Sequence, residues 1–299
     1  MAVTVMRHES ASMMHMFSDA SEPCTIGELS QADEAEVLAF LAARPIHTVF
    51  MASLIRDNGL ASPQNRGSFY ACRDQKGKLE GVALVGHATI VEAATEAALA
   101  EFARLARNCL NAHLIRGERT TINRFWKHYT AGAGQAPRLI CRELLLEQQE
   151  SLPLRAVVDD LRPASLADLD QVLRVNAAMA FEESGVSPLD RDPDGFRRRT
   201  ARRIEQGRVW TWVRDGKLIF KADVIAEASQ AIYLEGIHVH PEERLKGYGL
   251  RCLTQLGSTL LARSKSLCLT INQRNENALT FYAKAGFQFH SHYETIYLG

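Results

Sequence analysis

Arg244, Lys246, Gly247 and Gly249 fall in one short stretch between an apolar, strand-like run at 231–239 and a helix-like run at 250–263. Two cations and two glycines in a strand-to-helix turn can hold an anion. The first N–H groups of a helix that begins at 247–250 have no partner inside the helix. With the positive end of the helix dipole they suit a phosphate or pyrophosphate. Glycine lets such a ligand come close to the backbone. The same two glycines also serve an ordinary strand-turn-helix connection, so the turn alone names no ligand.

The elements that must position this turn read as follows. Residues 161–163 form a short strand, 166–181 a helix, 185–193 a loop punctuated by Gly185, Pro188 and Pro193, and 194–206 a strongly basic helix. Runs at 209–213 and 218–224 make a hairpin, and 231–239 is the strand that feeds the turn. After it, Leu250, Leu253, Gly257, Leu260 and Leu261 share one helical face. Residues 267–271 are a buried strand, 275–285 a helix closed by Gly286, and 288–298 the terminal strand region. The first half follows a similar plan: helices at 31–41 and 46–55, hairpin strands at 68–73 and 79–86, a strand at 88–92, a helix at 96–108, a short strand at 113–116, a helix at 121–129 and a strand at 140–146. This describes a compact α/β unit. A polar segment at 147–154 is the expected linker, and the shared plan points to a diverged internal repeat.

Composition narrows the classes. With 299 residues the chain can bury two cores of ordinary size, and 46% hydrophobic with 23% charged residues is the balance of a globular protein. Lys plus Arg equals Asp plus Glu, 35 each, so no global field draws it to nucleic acid or an anionic membrane. Six scattered cysteines without a C-x-x-C pair fit reduced thiols and, with no membrane-length apolar run, a cytoplasmic protein. Residues 1–24 read as a disordered leader, whose His8, His15, Met13, Met14 and Met16 form no expected metal site.

Four signals then occur in order over the second half: Ile237-His238-Val239-His240-Pro241, Arg244-Leu245-Lys246-Gly247-Tyr248-Gly249, the pair Asn272 and Asn275, and Ala278-Leu279-Thr280-Phe281-Tyr282-Ala283-Lys284-Ala285-Gly286-Phe287. Together they resemble the GNAT superfamily of N-acetyltransferases, whose turn reads Arg/Gln-x-x-Gly-x-Gly/Ala. Glu182-Glu183-Ser184-Gly185-Val186-Ser187-Pro188 and Phe220-Lys221-Ala222-Asp223-Val224 look like segments of bacterial two-domain members that carry an N-terminal domain of unknown function. The resemblance implies an α/β (α+β) chain of tandem GNAT-like units, each a mixed, mostly antiparallel sheet flanked by helices. Residues 25–150 would be a degenerate unit and 155–299 the catalytic one.

It also implies acetyl-CoA as cosubstrate, with no metal. Backbone amides of Arg244, Leu245, Lys246, Gly247, Tyr248, Gly249 and Leu250 would hold the pyrophosphate. Ile237, His238 and Val239 would face the acetyl carbonyl, where exposed N–H groups stabilise developing oxyanion charge. Asn275 and Ala278 would flank the cofactor arm, Asn275 also capping its helix. Tyr282 matches the tyrosine that donates a proton to the departing thiolate, with core packing as its other role. A lysine amine at pKa ~10.4 needs roughly 4–5 kcal/mol to be deprotonated at pH 7 and an α-amine only about 1. A general base is therefore sought, with Glu235 the lead, an ion-paired strand carboxylate its other reading, and His238 and Glu183 in reserve. Glu182 and Glu183, expected in a loop, would attract the cationic amine of a small molecule, peptide or protein N-terminus.

Other readings carry less. Gly247-x-Gly249-x-x-Cys252 lacks the third glycine of a dinucleotide turn, and no acidic residue closes the following strand. Arg197, Arg198, Arg199, Arg202 and Arg203 read as a solvated helix face and not a nucleic-acid surface. His238 with His240, and His290 with His292, have a metal-compatible spacing, but their strands are not expected to be neighbours. The first half has no Arg/Gln-x-x-Gly-x-Gly turn and is expected to shape the acceptor cleft. A non-catalytic acyl-CoA sensor would keep the turn but need neither Glu235 nor Tyr282. Oligomeric state is left as monomer or homodimer.

Overall fold

The structure is a computed structural model that describes residues 24–132, 136–154 and 156–299. The expected leader, Cys24 apart, lies outside the described residues, as do its His and Met side chains. Along the chain run β1 (Thr25–Glu28), α1 (Glu34–Leu41), α2 (Pro45–Asn58), β2 (Gly67–Arg73), β3 (Leu79–Gly86), β4 (Ala88–Ala93), α3 (Glu96–Arg107), β5 (Leu114–Glu118), α4 (Arg119–Thr130) and β6 (Leu139–Gln148). Then come β7 (Arg162–Pro163), α5 (Leu169–Ser184), α6 (Pro188–Arg191), α7 (Pro193–Glu205), β8 (Val209–Arg214), β9 (Lys217–Glu227), β10 (Ile232–Val239), α8 (Tyr248–Leu261), β11 (Leu267–Asn272), α9 (Glu276–Lys284) and β12 (Gln288–Tyr297). No described helix is long and apolar enough to cross a membrane.

All twelve strands join one sheet, in the order β1-β2-β3-β4-β5-β12-β6-β11-β10-β9-β8-β7. It is mixed and mostly antiparallel, parallel only at β4–β5 and β10–β11. The order holds an exchange. The last strand, β12, lies between β5 and β6 of the first half, and β6 lies between β12 and β11. The polar segment expected to begin a linker at 147 is still strand through Gln148, because Glu147 and Gln148 pair with Cys268 and Leu267.

Local chemistry explains the helices that cover this sheet. In α3 the Thr95 hydroxyl accepts the Ala98 N–H at 3.3 Å, Glu96 stands in the first turn, and Arg104 and Arg107 in the last, which complements the dipole. Its Leu99, Phe102, Ala103 and Ala106 pack with Ile122 and Phe125 of α4 on one face of the first half. On the other face Val37 and Leu41 of α1 and Met51 and Ile55 of α2 meet Phe69, Val82 and Leu84. β3 is buried at every position, as a strand covered on both faces must be.

In the second half Leu253, Leu256 and Leu260 of α8 close a core with Phe220, Ile232 and Leu267. A Cβ on Gly257 would stand 3.2 Å from Gln148 Oε1, so glycine lets α8 settle onto β6. A further cluster spans the seam between the halves. Ile46 and Val49 of α2 pack with Leu145, Ala226, Ala231, Tyr233 and Tyr293.

Candidate active site

β10 runs to Val239 but pairs with β11 only at Ile232/Leu267 and Tyr233/Cys268. Beyond Tyr233 the two strands part, and the edge of β10 facing β11 has no strand partner there. On its other edge β10 pairs with β9, broken by a register shift between Glu235 and His238. Gly236 in that bulge has φ +60°, and a Cβ there would stand 2.6 Å from Lys221 Nζ. The Lys221 ammonium is fully buried, donates to the Gly236 carbonyl at 2.9 Å and lies 2.8 Å from Asp223 Oδ1. Bulges re-aim the residues beside them, here Ile237 and His238.

The turn after β10 runs through a 3-10 turn at Pro241–Glu243 into Leu245 (φ +62°) and Gly247 (φ +79°) before α8 begins. Gly247 caps α8 without a side-chain acceptor, so the N–H groups of the first turn remain available. Leu245, an exposed β-carbon residue in left-handed backbone, is held there at a cost the turn must repay. A Cβ on Gly249 would meet Val239 Cγ2 at 2.7 Å, so only glycine lets α8 start this close to the end of β10. Arg244 Nε donates to the Val239 carbonyl at 3.2 Å. The guanidinium groups of Arg214 and Arg251 lie 5.3 and 4.9 Å from the centre of the Tyr248 ring. The donor-rich, cationic turn fits a polyanionic group.

α9 stands beside this turn. The Asn275 side chain accepts the Ala278 N–H at 3.1 Å, capping the helix. Ala278, Phe281, Ile237, Val239, Tyr248 and Leu250 pack onto one core with the buried ring of Tyr282. Burial pushes the Tyr282 hydroxyl up to about 12, so it is protonated at neutral pH.

Where β10 and β11 part, a cavity of about 340 Å³ opens between the halves. Glu235, Glu183 and Tyr233 line one part of it, and Arg116, Glu92, Glu118 and Arg44 come to it from the first half. Arg116 Nη2 donates to Tyr233 Oη at 2.5 Å and Thr270 Oγ1 at 2.7 Å, and the guanidinium lies 3.9 Å from both Glu143 and Glu235. Glu143 accepts from Thr270 at 2.8 Å and Thr295 at 2.7 Å. Arg116 and this network were not singled out from sequence. The strand exchange puts β5 in the same sheet as β10, where the Arg116 side chain reaches Tyr233, and the short strand Leu114–Glu118 gives no sign of it.

Glu182 and Glu183, expected in a loop, form the last turn of α5. The helix outlasts its apolar pattern because Ser184 Oγ donates to the Ala180 carbonyl at 2.8 Å and Gly185, at φ +70°, supplies the left-handed stop. Glu183 is exposed as a residue, and it lines the cavity beside Tyr297. Burial and then Glu235 push its carboxyl up to about 7, against Arg116 and the 3.3 Å hydrogen bond from Tyr297. His238, held in reserve as a base, is pushed down to about 4 by burial and Lys221, which leaves it a weak base.

The basic helix α7 is not solvated throughout. Arg197 and Arg198 face water, whereas Arg202 and Arg203 turn into the seam, Arg202 Nη2 donating to Asn58 Oδ1 at 2.9 Å and Arg203 lying 3.5 Å from Asp223. β10 and β12 are separated by β6 and β11, so the two histidine pairs stay apart. Among the described residues no group of three or more His, Cys, Asp or Glu is placed to hold a metal ion.

The first half has its own parting pair. β4 and β5 match from Ala88 to Ile90, then diverge, and Arg44 ties their ends by reaching Glu92 at 3.1 Å and Glu118 at 2.6 Å. β4 leads into α3 through Ala94 and the capping Thr95, with no open turn.

Residues 220–296, which hold the bulge, the turn and α9, match the family model described as FR47-like protein. A GCN5-related N-acetyltransferase from Sphaerobacter thermophilus superposes with a TM-score of 0.59 at 13% identity, over 92% of this chain and 95% of that one. The chain has the GNAT fold. A tandem GNAT protein from the clavulanic acid biosynthesis pathway gives 0.57 at 13% identity over 92% and 99% of the two chains. A GNAT-family acetyltransferase from Colwellia psychrerythraea gives 0.54 at 14% over 92% and 100%. No functionally curated protein matches the sequence. In this GNAT fold, among the described residues, the open turn follows β10 and has no counterpart after β4.

Proposed function

We propose that this chain is an N-acetyltransferase that moves the acetyl group of acetyl-CoA to a primary amine bound in the seam cavity. The observation that carries the reading is the parted edge of β10, with the uncapped start of α8 at its end and a carboxylate-bearing cavity where the strands separate. When bound, acetyl-CoA supplies the activated acyl group. The amides from Arg244 to Leu250, with Arg214 and Arg251 nearby, hold its phosphates. Ile237 and Val239, whose N–H groups point to the open edge of β10, offer them to the acyl oxygen as charge builds on it, and His238 between them pairs with β9. Asn275 and Ala278 border the arm, and Tyr282 donates to the thiolate as it leaves.

Proton removal falls to Glu183. A group titrating near 7 is matched to accept a proton at neutral pH, and Glu235, 3.9 Å from Arg116, serves as the anionic anchor for the incoming ammonium. As pH rises through about 7, Glu183 loses its proton, so kcat/KM should show a limb that climbs through that value, separate from the rise at the amine's own pKa. Glu183→Gln is expected to abolish this limb and to lower kcat/KM by roughly 10²–10⁴-fold. The rise at the amine's own pKa should remain. A pH profile in which Glu183→Gln keeps the limb near 7 would move the base elsewhere.

Tyr282→Phe should lower turnover and leave acetyl-CoA affinity nearly unchanged, because only the hydroxyl is lost. Equal turnover would remove Tyr282 from the reaction. The reading as a whole is tested by thiol release from acetyl-CoA against a panel of small amines and peptides with free N-termini. Tight CoA binding without release would turn the assignment to an acyl-CoA sensor.

A further inference from the structure

Behind the acceptor cavity lies a second cleft, of about 290 Å³, sharing with it Phe50, Ala88, Arg203 and Ile225. The first cavity mixes Glu92, Glu118, Glu183 and Glu235 with Arg44, Arg116 and Arg203, whereas the second is lined by Arg66, Arg199, Arg202, Arg203 and Arg208 against Asp57. Three of these are neutralised: Arg199 by Asp192 at 2.9 Å, Arg203 by Asp223 at 3.5 Å and Arg208 by both oxygens of Asp57. Arg66 and Arg202 have no carboxylate within ion-pair distance among the described residues.

Arg202 is held in place by neutral groups, whereas the exposed Arg66 lines the cleft without a side-chain partner among the described residues. Arg202 donates to the side-chain oxygens of Asn58 and Gln64. Asn58 Nδ2 in turn donates to Asn65 Oδ1 at 2.9 Å, and the buried Asn65 donates to the carbonyls of Gly59 at 2.9 Å and Leu60 at 3.2 Å. That chain of amides fixes a guanidinium without cancelling its charge. Arg66 follows Asn65 in left-handed backbone, φ +55°, an arrangement that an arginine adopts only under local constraint. Burial and then the nearby Arg199 hold its pKa below the ordinary arginine value, outweighing Asp192, which lies beyond ion-pair distance. One oriented guanidinium, Arg202, beside a second without an ion pair, Arg66, is a pairing by which proteins recognise carboxylate and phosphate.

We infer that the acceptor is a small amine bearing an oxyanion, carboxylate or phosphate, whose amino end lies by Glu183 and Glu235 and whose anionic end is held by Arg66 and Arg202. The inference rests on the acetyltransferase reading for the amino end, while the anion cleft is testable without turnover.

In buffer free of both anions, inorganic phosphate and succinate are titrated calorimetrically into the full chain and into the Arg66→Gln/Arg202→Gln variant. Acetylation of 4-aminobutanoate, O-phosphoethanolamine and n-butylamine is measured in parallel. The expected result is binding of one of the anions that weakens at least tenfold in the variant, and a preference for the matching anionic amine over n-butylamine that falls at least tenfold. Whether phosphate or succinate binds identifies the anion. Arg66→Gln alone, at an exposed residue without an ion pair, replaces the double variant if that fails to fold. If neither anion distinguishes the variant from the wild type, and the amine preference is unchanged, the inference is overturned while acetyl transfer stands. If no amine is acetylated, the acetyltransferase reading falls and the titrations alone decide whether an anion site exists.

Discussion

Residues 151–299 expressed alone are expected to give no cooperatively folded protein, although they contain every residue assigned to acetyl-CoA. The reason is β6, which the first half contributes. It pairs with β11 from Leu267 to Asn272 and with β12 from Gln288 to Tyr297. Without it, two strands face each other across an empty place, both edges lose their ladder, and α8 loses the surface that Gly257 was shaped to meet. Unpaired buried backbone groups cost free energy on the scale of a lost hydrogen bond each, about 1–3 kcal/mol, against a total stability of about 5–15 kcal/mol. The converse fragment, 24–150, loses β12 and with it the link between β5 and β6. The two fragments expressed together should recover a soluble complex. Circular dichroism and urea titration of each fragment and of the mixture check this; a cooperative unfolding transition from 151–299 alone would refute it.

The second large effect is expected at Lys221. Its ammonium is buried with Asp223 as its ion-pair partner, and Asp223 is approached besides only by Arg203 at 3.5 Å and Asn176 at 3.4 Å. Lys221→Met removes the closer of two cations from the buried Asp223 and leaves it Arg203 at 3.5 Å, a loss of at most about 3–5 kcal/mol, the cost of breaking a buried pair outright. Replacing both charges, as in Lys221→Met/Asp223→Leu, should recover part of the loss, because apolar substitutes for a buried pair are often neutral or better and Arg203, its side chain 29% exposed, can be solvated once Asp223 is gone. Catalysis is expected to follow another rule. The Gly236 carbonyl that accepts from Lys221 belongs to the same peptide unit as the Ile237 N–H. Charge on one end of that unit strengthens the donor at the other. The double variant should therefore regain stability and keep a lowered kcat. Urea unfolding with steady-state kinetics separates the two; a single variant within 1 kcal/mol of wild type would show the pair to be energetically idle.

How much of this was legible beforehand depended on the range of each signal. The turn from Arg244 to Gly249, the cap at Asn275 and the strand before them are local, and their spacing is visible in the chain itself. The end of α5 is not legible because Glu182 and Glu183 interrupt the apolar pattern while hydrogen bonding at Ser184 and Gly185 sustains the helix. Arg116 and Arg202 were hidden for a different reason. Their roles exist only once β12 crosses into the first half and α7 packs toward Asn58, and no periodicity reports a strand that pairs far along the chain. Lys221 appeared only within a family-like segment, and its burial under the Gly236 bulge depends on a register shift that alternation cannot show.

The exchanged strands also set the order in which the protein can be made. β5 and β6 become joined only after β12 has been synthesised, some 150 residues after β6. At roughly 5–20 residues per second, the first half waits on the order of ten seconds with β5 and β6 exposed at their edges. Such edges invite pairing with another nascent chain. A neighbouring copy on the same polysome could donate its own β12 to that gap, so the principal hazard in making this protein is a swapped dimer, set by translation speed as much as by stability.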